Sequence, residues 1–554
     1  MSTTPSQATE FVDRAPVELP HAVRMRVLGA VMIGIFLAAL DQTVVGTALP
    51  RIITDLGGND LYTWAFTAYL LTSTISGPLY GKLSDLFGRR PIFLFGIGVF
   101  MLGSLLAGLS QEMWQLIAAR GIQGLGAGAL FPIALAVIGD LFSPSERGRY
   151  QGLFGAVFGL SVLIGPAIGG LTTDTIGWPW VFFLNLPVGA LVFAIVWRSL
   201  PSYHPSGERP QIDYAGAGLF TAALVPILIG LTNKQSAAWT DPSVGGLMAI
   251  GALILAAFVW VESRAVEPIV PLDLFRNRSF TLSVGAVFLA AFGFFATVVF
   301  LPRWFQVVAG ASATEAGYQI LPLLGGLIIS ATLSGQIVSR TGRYRTLIFG
   351  ALLVMSAGLF TLTNLRADTP VPLLWAWMFV AGLGVGPTFA VFTLIVQNAV
   401  PIARLGTATS NLTFFQQVGG TVGLAITGTI FGTTLADEVP RQLGAAGIPP
   451  EVGSALATGG GLDALTGVGD LGSAILAATP DAVRAQVEPF VPAIVEAIYR
   501  AFSIATASTF ILGVGAAALA AGLVLMLREV PMRAYDPSAA ASKANGLPAI
   551  GETG

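Results

Sequence analysis

The sequence predicts an all-α integral membrane protein of fourteen helices, arranged as six plus two plus six. Three observations carry that reading. The 554 residues are 54% hydrophobic and only 10% charged, with a mean hydropathy of +0.76, against roughly 25% charged residues in a soluble domain. Apolar segments long enough to cross a hydrocarbon core of ~30 Å recur along the whole chain. Several short motifs occur twice, in one order and at nearly one spacing.

After a polar tail (1–24) the first span is read at Met25–Leu49; it is too long for a signal sequence and lacks a small-residue cleavage site, so it is expected to be retained. The second and third spans, Tyr62–Tyr80 and Ile92–Leu109, are joined by the short turn GKLSDLFGRRP at Gly81–Pro91. Spans at Met113–Ile138, Gln151–Leu171 and Trp180–Trp197 complete a first bundle (25–200). The segment 201–275 holds two further helices, Tyr214–Leu231 and Val244–Val261. A second bundle (276–530) follows with spans at Phe280–Phe305, Ala316–Ile337, Leu347–Leu365, Leu373–Val396, Ala408–Leu435 and Ile498–Met526. Its segment 436–497, rich in Gly, Pro and acids, reads as an extracytoplasmic loop. The end of that loop, DAVRAQVEPFVPAIVEAIYR, has helical periodicity and is expected to lie along the outer surface as an amphipathic stretch. A polar tail (531–554) closes the chain.

The repeat fixes how the spans are grouped. GKLSDLFGRR at Gly81–Arg90 returns as GQIVSRTGRY at Gly335–Tyr344; Gly165 and Gly169 return as Gly419 and Gly423; GLGAG at Gly124–Gly128 returns as GLGVG at Gly382–Gly386. Two homologous six-helix halves follow, with the helices of 201–275 unmatched between them, and parallel halves of this kind hold ligands near the bilayer midplane. An even number of spans puts both termini on one side. Only seven of the 28 basic residues fall on the opposite loops and Arg120 falls within a span, so the side of the termini is cytoplasmic by the positive-inside rule.

Composition also excludes functions. The chain has no cysteine, and its two histidines, His21 and His204, lie in polar surroundings, so neither a thiolate nor an imidazole metal centre is expected. A net charge of −2 suggests no nucleic-acid partner. No nucleophile–base constellation or phosphate loop is visible, and GLGAG sits mid-helix, so an enzyme is not expected. Neither a cofactor nor an obligate protein partner is called for.

Asp41 lies inside the first span, where a carboxylate costs roughly 2.5–3.5 kcal/mol even on the lenient insertion scale. Its expected partner is Arg120, the one basic residue deep in a span; both lie roughly 10–12 Å below the outer boundary at 1.5 Å per residue. Gln123 stands beside the guanidinium at i+3, and Gly124 and Gly128 follow on one face, admitting a close neighbour. Burial and a facing cation push a carboxyl in opposite directions and can poise it to exchange a proton. The competing reading is a static ion pair, an expensive device in lipid.

In the turn after the second span, Gly81 permits close packing, Gly88 can supply helix-ending left-handed geometry, and Asp85 with Lys82, Arg89 and Arg90 can form an ionic latch. In the fifth span, Gly165, Gly169 and Gly170 surround Pro166, a glycine face with a kink that suits two helices pivoting on each other.

LDQTVVGTALP (Leu40–Pro50), GKLSDLFGRRP, RGIQGLGAG (Arg120–Gly128), GPAIGG (Gly165–Gly170) and WPWVFFLNLPVG (Trp178–Gly189) together resemble the successive signature motifs of the major facilitator superfamily. More narrowly they are similar to its fourteen-helix drug:proton antiporters, of the QacA/EmrB kind, over about residues 25–530. The resemblance implies the major facilitator fold in a bacterial cytoplasmic membrane and a proton-driven exporter of lipophilic small molecules, powered by the proton gradient alone. It implies that Asp41 and Arg120 couple to protons, that Asp85 and Arg89 form the cytoplasmic gate, and that Gly165–Gly170 form the antiporter hinge. Substrate-cavity candidates are Gln42, Gln123, Asn411, Phe415, Gln416 and Gln417. The second half's spans carry no acid, with Glu315 only at the outer edge, which favours neutral or monocationic substrates over dications. A dedicated exporter of one metabolite or lipid is the alternative on the same scaffold.

Overall fold

The computed structural model describes residues 19–56, 62–142, 144–201, 211–234, 237–449, 471–478, 484 and 487–529. Its regular elements are helical. The first set comprises α1 (His21–Leu56), α2 (Tyr62–Phe87), α3 (Arg89–Gly108), α4 (Met113–Leu141), α5 (Pro144–Thr175) and a broken sixth helix, α6 (Pro179–Phe183) with α7 (Asn185–Ser199). Next come α8 (Tyr214–Asn233) and α9 (Leu247–Glu262). The second set comprises α10 (Arg278–Val307), α11 (Ala313–Gln319) with α12 (Leu321–Thr341), α13 (Arg345–Leu362), α14 (Val371–Ala399), α15 (Leu405–Ala445), the short α16 (Leu471–Ala478) and α17 (Val491–Leu525).

The helix ends follow local chemistry. Asp213 caps α8 by accepting from Gly216 N at 2.7 Å, Asn277 caps α10 by accepting from Ser279 N at 3.0 Å, and Ser312 with Glu315 forms a capping box at α11. Gly88, between α2 and α3, has φ 92°, and its repeat mate Gly342, between α12 and α13, has φ 67°. Only Gly342 takes the expected left-handed conformation; Gly88 combines its positive φ with an extended ψ of 156°.

Twelve helices among the described residues are long and apolar enough to cross a membrane. The fourteen read from the sequence require α2 and α5 as well. These are long enough, at 26 and 32 residues, but carry hydroxyls and glycines where the others carry aliphatic side chains.

The repeat is visible in the packing. In the first set α5 lies along α1, and α4 lies between α2 and α3; in the second α15 lies along α10, and α14 lies between α12 and α13. The two sets meet along two seams, α2 against α15 and α5 against α12. The hairpin α8–α9 stands outside the first seam: the Phe220 ring is 5.4 Å from both Phe258 of α9 and Phe414 of α15.

One sequence expectation is corrected at the far end. The stretch leading into the last span does not lie along the surface, because from Val491 it is continuous with the span as α17. Pro492 falls in the first turn, where its missing N–H costs nothing. At 41 and 35 residues, α15 and α17 reach about 60 and 50 Å. Both overrun the hydrocarbon core, and their ends share a small core of Val439, Leu443, Ile475, Ile494 and Ala497 with α16. Residues 450–470, 479–483 and 485–486 of that loop lie outside the described residues.

Candidate functional site

Asp41 and Arg120 meet as the sequence predicts. Arg120 Nη1 is 2.5 Å from Asp41 Oδ2, and the two residues are 0% and 2% exposed. Desolvating two charges costs several kcal/mol per ion, so such a pair persists only when its remaining valences are filled. Here Gln123 Nε2 and Asn185 Nδ2 both donate to Asp41 Oδ1, at 2.8 and 2.9 Å. Both amides also donate to Ser104 Oγ, at 3.1 and 2.9 Å, and Ser104 in turn donates to Phe182 O at 3.0 Å. Arg120 Nη1 further donates to Gln123 Oε1 at 2.6 Å, and its guanidinium carbon lies 4.3 Å from the centre of the Tyr69 ring. Its Nη2 has no partner among the described residues. Helices α1, α2, α3, α4, α6 and α7 thus converge on one carboxylate.

Three members of this cluster, Asn185, Ser104 and Tyr69, escaped the sequence reading. Asn185 is the one amide in the apolar run WPWVFFLNLPVG, a signal that was available; Ser104, a lone hydroxyl on α3, gave none. Gln123 belongs here and not on the substrate cavity, because its amide is fully consumed by the ion cluster.

The other half lacks the cluster. FLAALDQTVVGTALPR (Phe36–Arg51) aligns with FLAAFGFFATVVFLPR (Phe288–Arg303), which puts Gly293 where Asp41 stands and Met378 where Arg120 stands. A Cβ at Gly293 would stand 3.0 Å from Met355 Cε, so tight apolar packing replaces the ion pair.

At the α2–α3 end, Asp85 ties the two sets together. Arg89 Nη1 donates to Asp85 Oδ1 at 2.5 Å; across the seam, Gly406 N donates to Oδ1 at 3.0 Å, while Thr407 N and Oγ1 donate to Oδ2 at 2.7 and 2.6 Å. The carboxylate therefore caps the start of α15, where free N–H groups and the helix dipole attract an anion. Arg89 Nε also donates to Asp140 Oδ2 at 2.8 Å. Gly81 lets the helices touch: a Cβ there would stand 2.5 Å from Ser410 Cβ and 2.7 Å from Gly406 O. Two basic residues expected in this cluster are elsewhere. Lys82 pairs with Glu267 at 2.5 Å, and Arg90 lies 5.3 Å over the Trp197 ring.

On α5, Gly165 abuts α1: a Cβ would stand 2.6 Å from Thr43 Cβ, and Thr43 Oγ1 donates to Ser161 O at 3.1 Å. This α5–α1 contact therefore sits two residues from Asp41. Gly169 is buried and Gly170 half-buried; the side chain of Pro166 lies outside the described residues, and the helix runs through its position.

Between the sets lies a cavity of about 200 Å³. Phe131, Phe154, Phe294, Phe295 and Phe389 line it with aliphatic side chains, and Gln42, Thr74, Thr388, Thr393, Thr413, Gln416, Gln417 and Thr421 supply amides and hydroxyls. No ionisable side chain is among its lining residues. Of the predicted cavity residues, Gln42, Gln416 and Gln417 are on the wall. Asn411 is not, being fully buried with its amide donated to Thr407 O at 2.8 Å. Phe415 turns away from the cavity and packs on Phe275 and Phe414.

Two homologous helix bundles enclosing an uncharged cavity, with a buried ion cluster in one wall, define a membrane transporter rather than an enzyme. The model of the Major Facilitator Superfamily matches residues 31–424, and the chain belongs to that superfamily. It is 39% identical over 427 residues to the multidrug transporter protein MdtP of Bacillus subtilis (strain 168), covering 76% of this chain and 78% of the relative. It is 37% identical over 428 residues to multidrug resistance protein 3 of the same organism, covering 76% and 83%. The crystal structure of the human organic anion transporter MFSD10 (TETRAN) superposes with a TM-score of 0.56 at 17% identity, covering 74% of this chain and 94% of that one, a likeness of fold alone.

Proposed function

We propose that this transporter is a proton-coupled exporter of lipophilic, neutral or monocationic compounds from the cytoplasm, working by alternating access with both termini cytoplasmic. The observation that carries the reading is the placement of one buried carboxylate, Asp41, directly behind a cavity whose lining has no charge. Five phenylalanines reward apolar surface, and the amides and hydroxyls hold polar groups without selecting one geometry, which suits varied substrates. The multidrug names of the bacterial relatives agree.

In this reading the structure is closed on the cytoplasmic side, held by Asp85 on the first turn of α15. Protonation of Asp41 from outside removes the charge that holds Arg120, Gln123 and Asn185, loosening α1 against α4 and α7, and the Gly165–Thr43 contact passes the change to α5. Substrate leaves outward, and proton loss to the cytoplasm resets the carrier. One proton across 100 mV yields about 2.3 kcal/mol and each pH unit about 1.4 kcal/mol, so one proton per cycle sustains a gradient of roughly several hundred-fold. Ethidium efflux from energised cells tests the reading: an uncoupler is expected to abolish it, and uncoupler-resistant efflux would refute proton drive.

A further inference from the structure

The end of the α8–α9 hairpin nearest the Asp85 seam holds two acids that the mechanism above does not use. Glu262, the last residue of α9, is 2% exposed, and its Oε1 accepts from Val270 N at 2.6 Å. Asp213, the cap of α8, commits Oδ1 to Gly216 N at 2.7 Å. The second oxygen of each, Glu262 Oε2 and Asp213 Oδ2, is buried without a hydrogen-bond partner. Both approach one spot over Gly216, where a Cβ would collide with Asp213 Oδ2 and stand 2.7 Å from Glu262 Oε2. The charged groups on the elements packed around this spot are committed elsewhere. Lys82 of α2 pairs with Glu267 and Arg404, just before α15, with Asp273, both at 2.5 Å; Asp85 holds Arg89, and Arg264 lies 4.0 Å over the Trp260 ring. Among the described residues no ion pair reaches Asp213 or Glu262.

Two desolvated acceptors brought to one spot with no donor between them repel, whereas one proton placed between them serves both as a hydrogen bond. A divalent cation needs several more oxygens than these two. We propose that Asp213 and Glu262 form a second proton site, and that the proton they share clasps the hairpin to the strap 263–276, which crosses the cytoplasmic face of the α2–α15 seam. The strap is tied to both halves, through Glu267 to Lys82 on one and through Asp273 to Arg404 on the other. Its residues Ile269 and Val270 are buried in one apolar cluster with Ile75 of α2, Phe220 of α8 and Phe414 of α15. Its anchor on α9 is the bond from Val270 N to Glu262. Loss of the proton leaves two buried like charges, and an unpaired buried carboxylate demands water. Water reaches Glu262 only when the strap that covers it lifts, so proton loss loosens the strap and frees the seam behind it to open. The site stands apart from Asp41 and from proton coupling; only its side of the membrane is taken from the orientation proposed above.

Hydrogen exchange of the strap tests the clasp, read by mass spectrometry on the full-length protein in detergent at about pH 6 and about pH 8 and corrected for the pH dependence of intrinsic exchange. In the wild type, protection of 263–276 is expected to fall as pH rises, by up to about tenfold per pH unit, the limit for release of one proton. Glu262→Gln is a permanent neutral stand-in for the protonated acid and is expected to hold its protection at both pH values. Asp213→Asn also removes the repulsion and is expected to do the same. Wild-type protection that does not change with pH would mean that the two acids only pack, and would overturn the proposal. A fall in both variants equal to that of the wild type would assign the pH dependence to other groups and overturn it as well. Recovery of wild-type protection at the higher pH on adding calcium chloride would make the occupant a metal cation and overturn the proton site. None of these outcomes bears on proton drive through Asp41, which every variant retains.

Discussion

Asp41 and Gln42 are neighbours in the chain and face opposite compartments: the carboxylate points into the sealed interior of the first bundle against Arg120, and the amide points into the cavity between the bundles. Successive residues on a helix are about 100° apart, so one turn of α1 presents both. In the proposed function, proton and substrate would act on one rigid segment from two sides, which would make their exchange a matter of helix position rather than shared contact.

If the ion pair is one thermodynamic unit, its members are not independent. Arg120→Leu strands a buried carboxylate and is expected to cost about 3–5 kcal/mol of stability. Adding Asp41→Asn to it removes the stranded charge and is expected to restore part of that loss. Thermal unfolding of the purified single and double variants checks this, and strictly additive losses would contradict a shared site.

Asn185→Leu removes one of the two amide donors to Asp41 Oδ1 and leaves Ser104 with one donor fewer. A loss of about 1–3 kcal/mol is expected, together with slower proton-driven efflux at unchanged expression. Efflux at the wild-type rate would show that Arg120 and Gln123 hold the carboxylate without Asn185.

The seam at the α2–α3 end is expected to open when its anchor is removed. Asp85→Ala loses the cap on α15, worth about 1–2 kcal/mol, which corresponds to roughly a 5- to 30-fold change in the closed-to-open ratio. Gly81→Ala is expected to act in the same direction by wedging α2 from Ser410 and Gly406 O. Because the chain has no cysteine, a single one introduced at Thr413 on the cavity wall provides a unique probe. Its labelling from the cytoplasmic side should rise in both variants, and unchanged labelling would argue that Asp85 is no latch.

The uncharged cavity predicts a limit on substrates. Dicationic compounds are expected to be poorly exported by the wild type, and Gln416→Glu, which puts one acid on the wall, is expected to extend export to them. Growth protection against a dicationic biocide, compared with ethidium, reads the difference. Equal protection by both proteins would refute the assignment of Gln416 to the substrate path.

The sequence makes the fold legible because each span is a long apolar run and because the halves repeat, so Gly88 and Gly342, or Gly165 and Gly419, announce equivalent places. The ion pair is legible for a different reason: a charge in hydrocarbon is costly enough to demand a partner, and Arg120 was the one at matching depth. What stays hidden is side-chain direction. Gln123 and Asn411 are amides on cavity-forming helices, yet one is drawn to the ion cluster and the other turns to its own backbone. Lys82 and Arg90 sit in a charged turn, but longer side chains reach Glu267 and Trp197 instead of Asp85. The helical pattern before the last span was legible, but periodicity alone does not tell a separate surface helix from the continuous α17 that runs into the span.

The central claim is that Asp41 carries the proton that drives export. Its most direct measurement is ethidium movement in proteoliposomes, with Asp41→Asn compared with wild type under an imposed pH gradient and under simple exchange of ethidium across the membrane. The account predicts that the pH gradient drives accumulation by the wild type and none by Asp41→Asn, while exchange continues in both. Gradient-driven accumulation by Asp41→Asn at the wild-type level would contradict it.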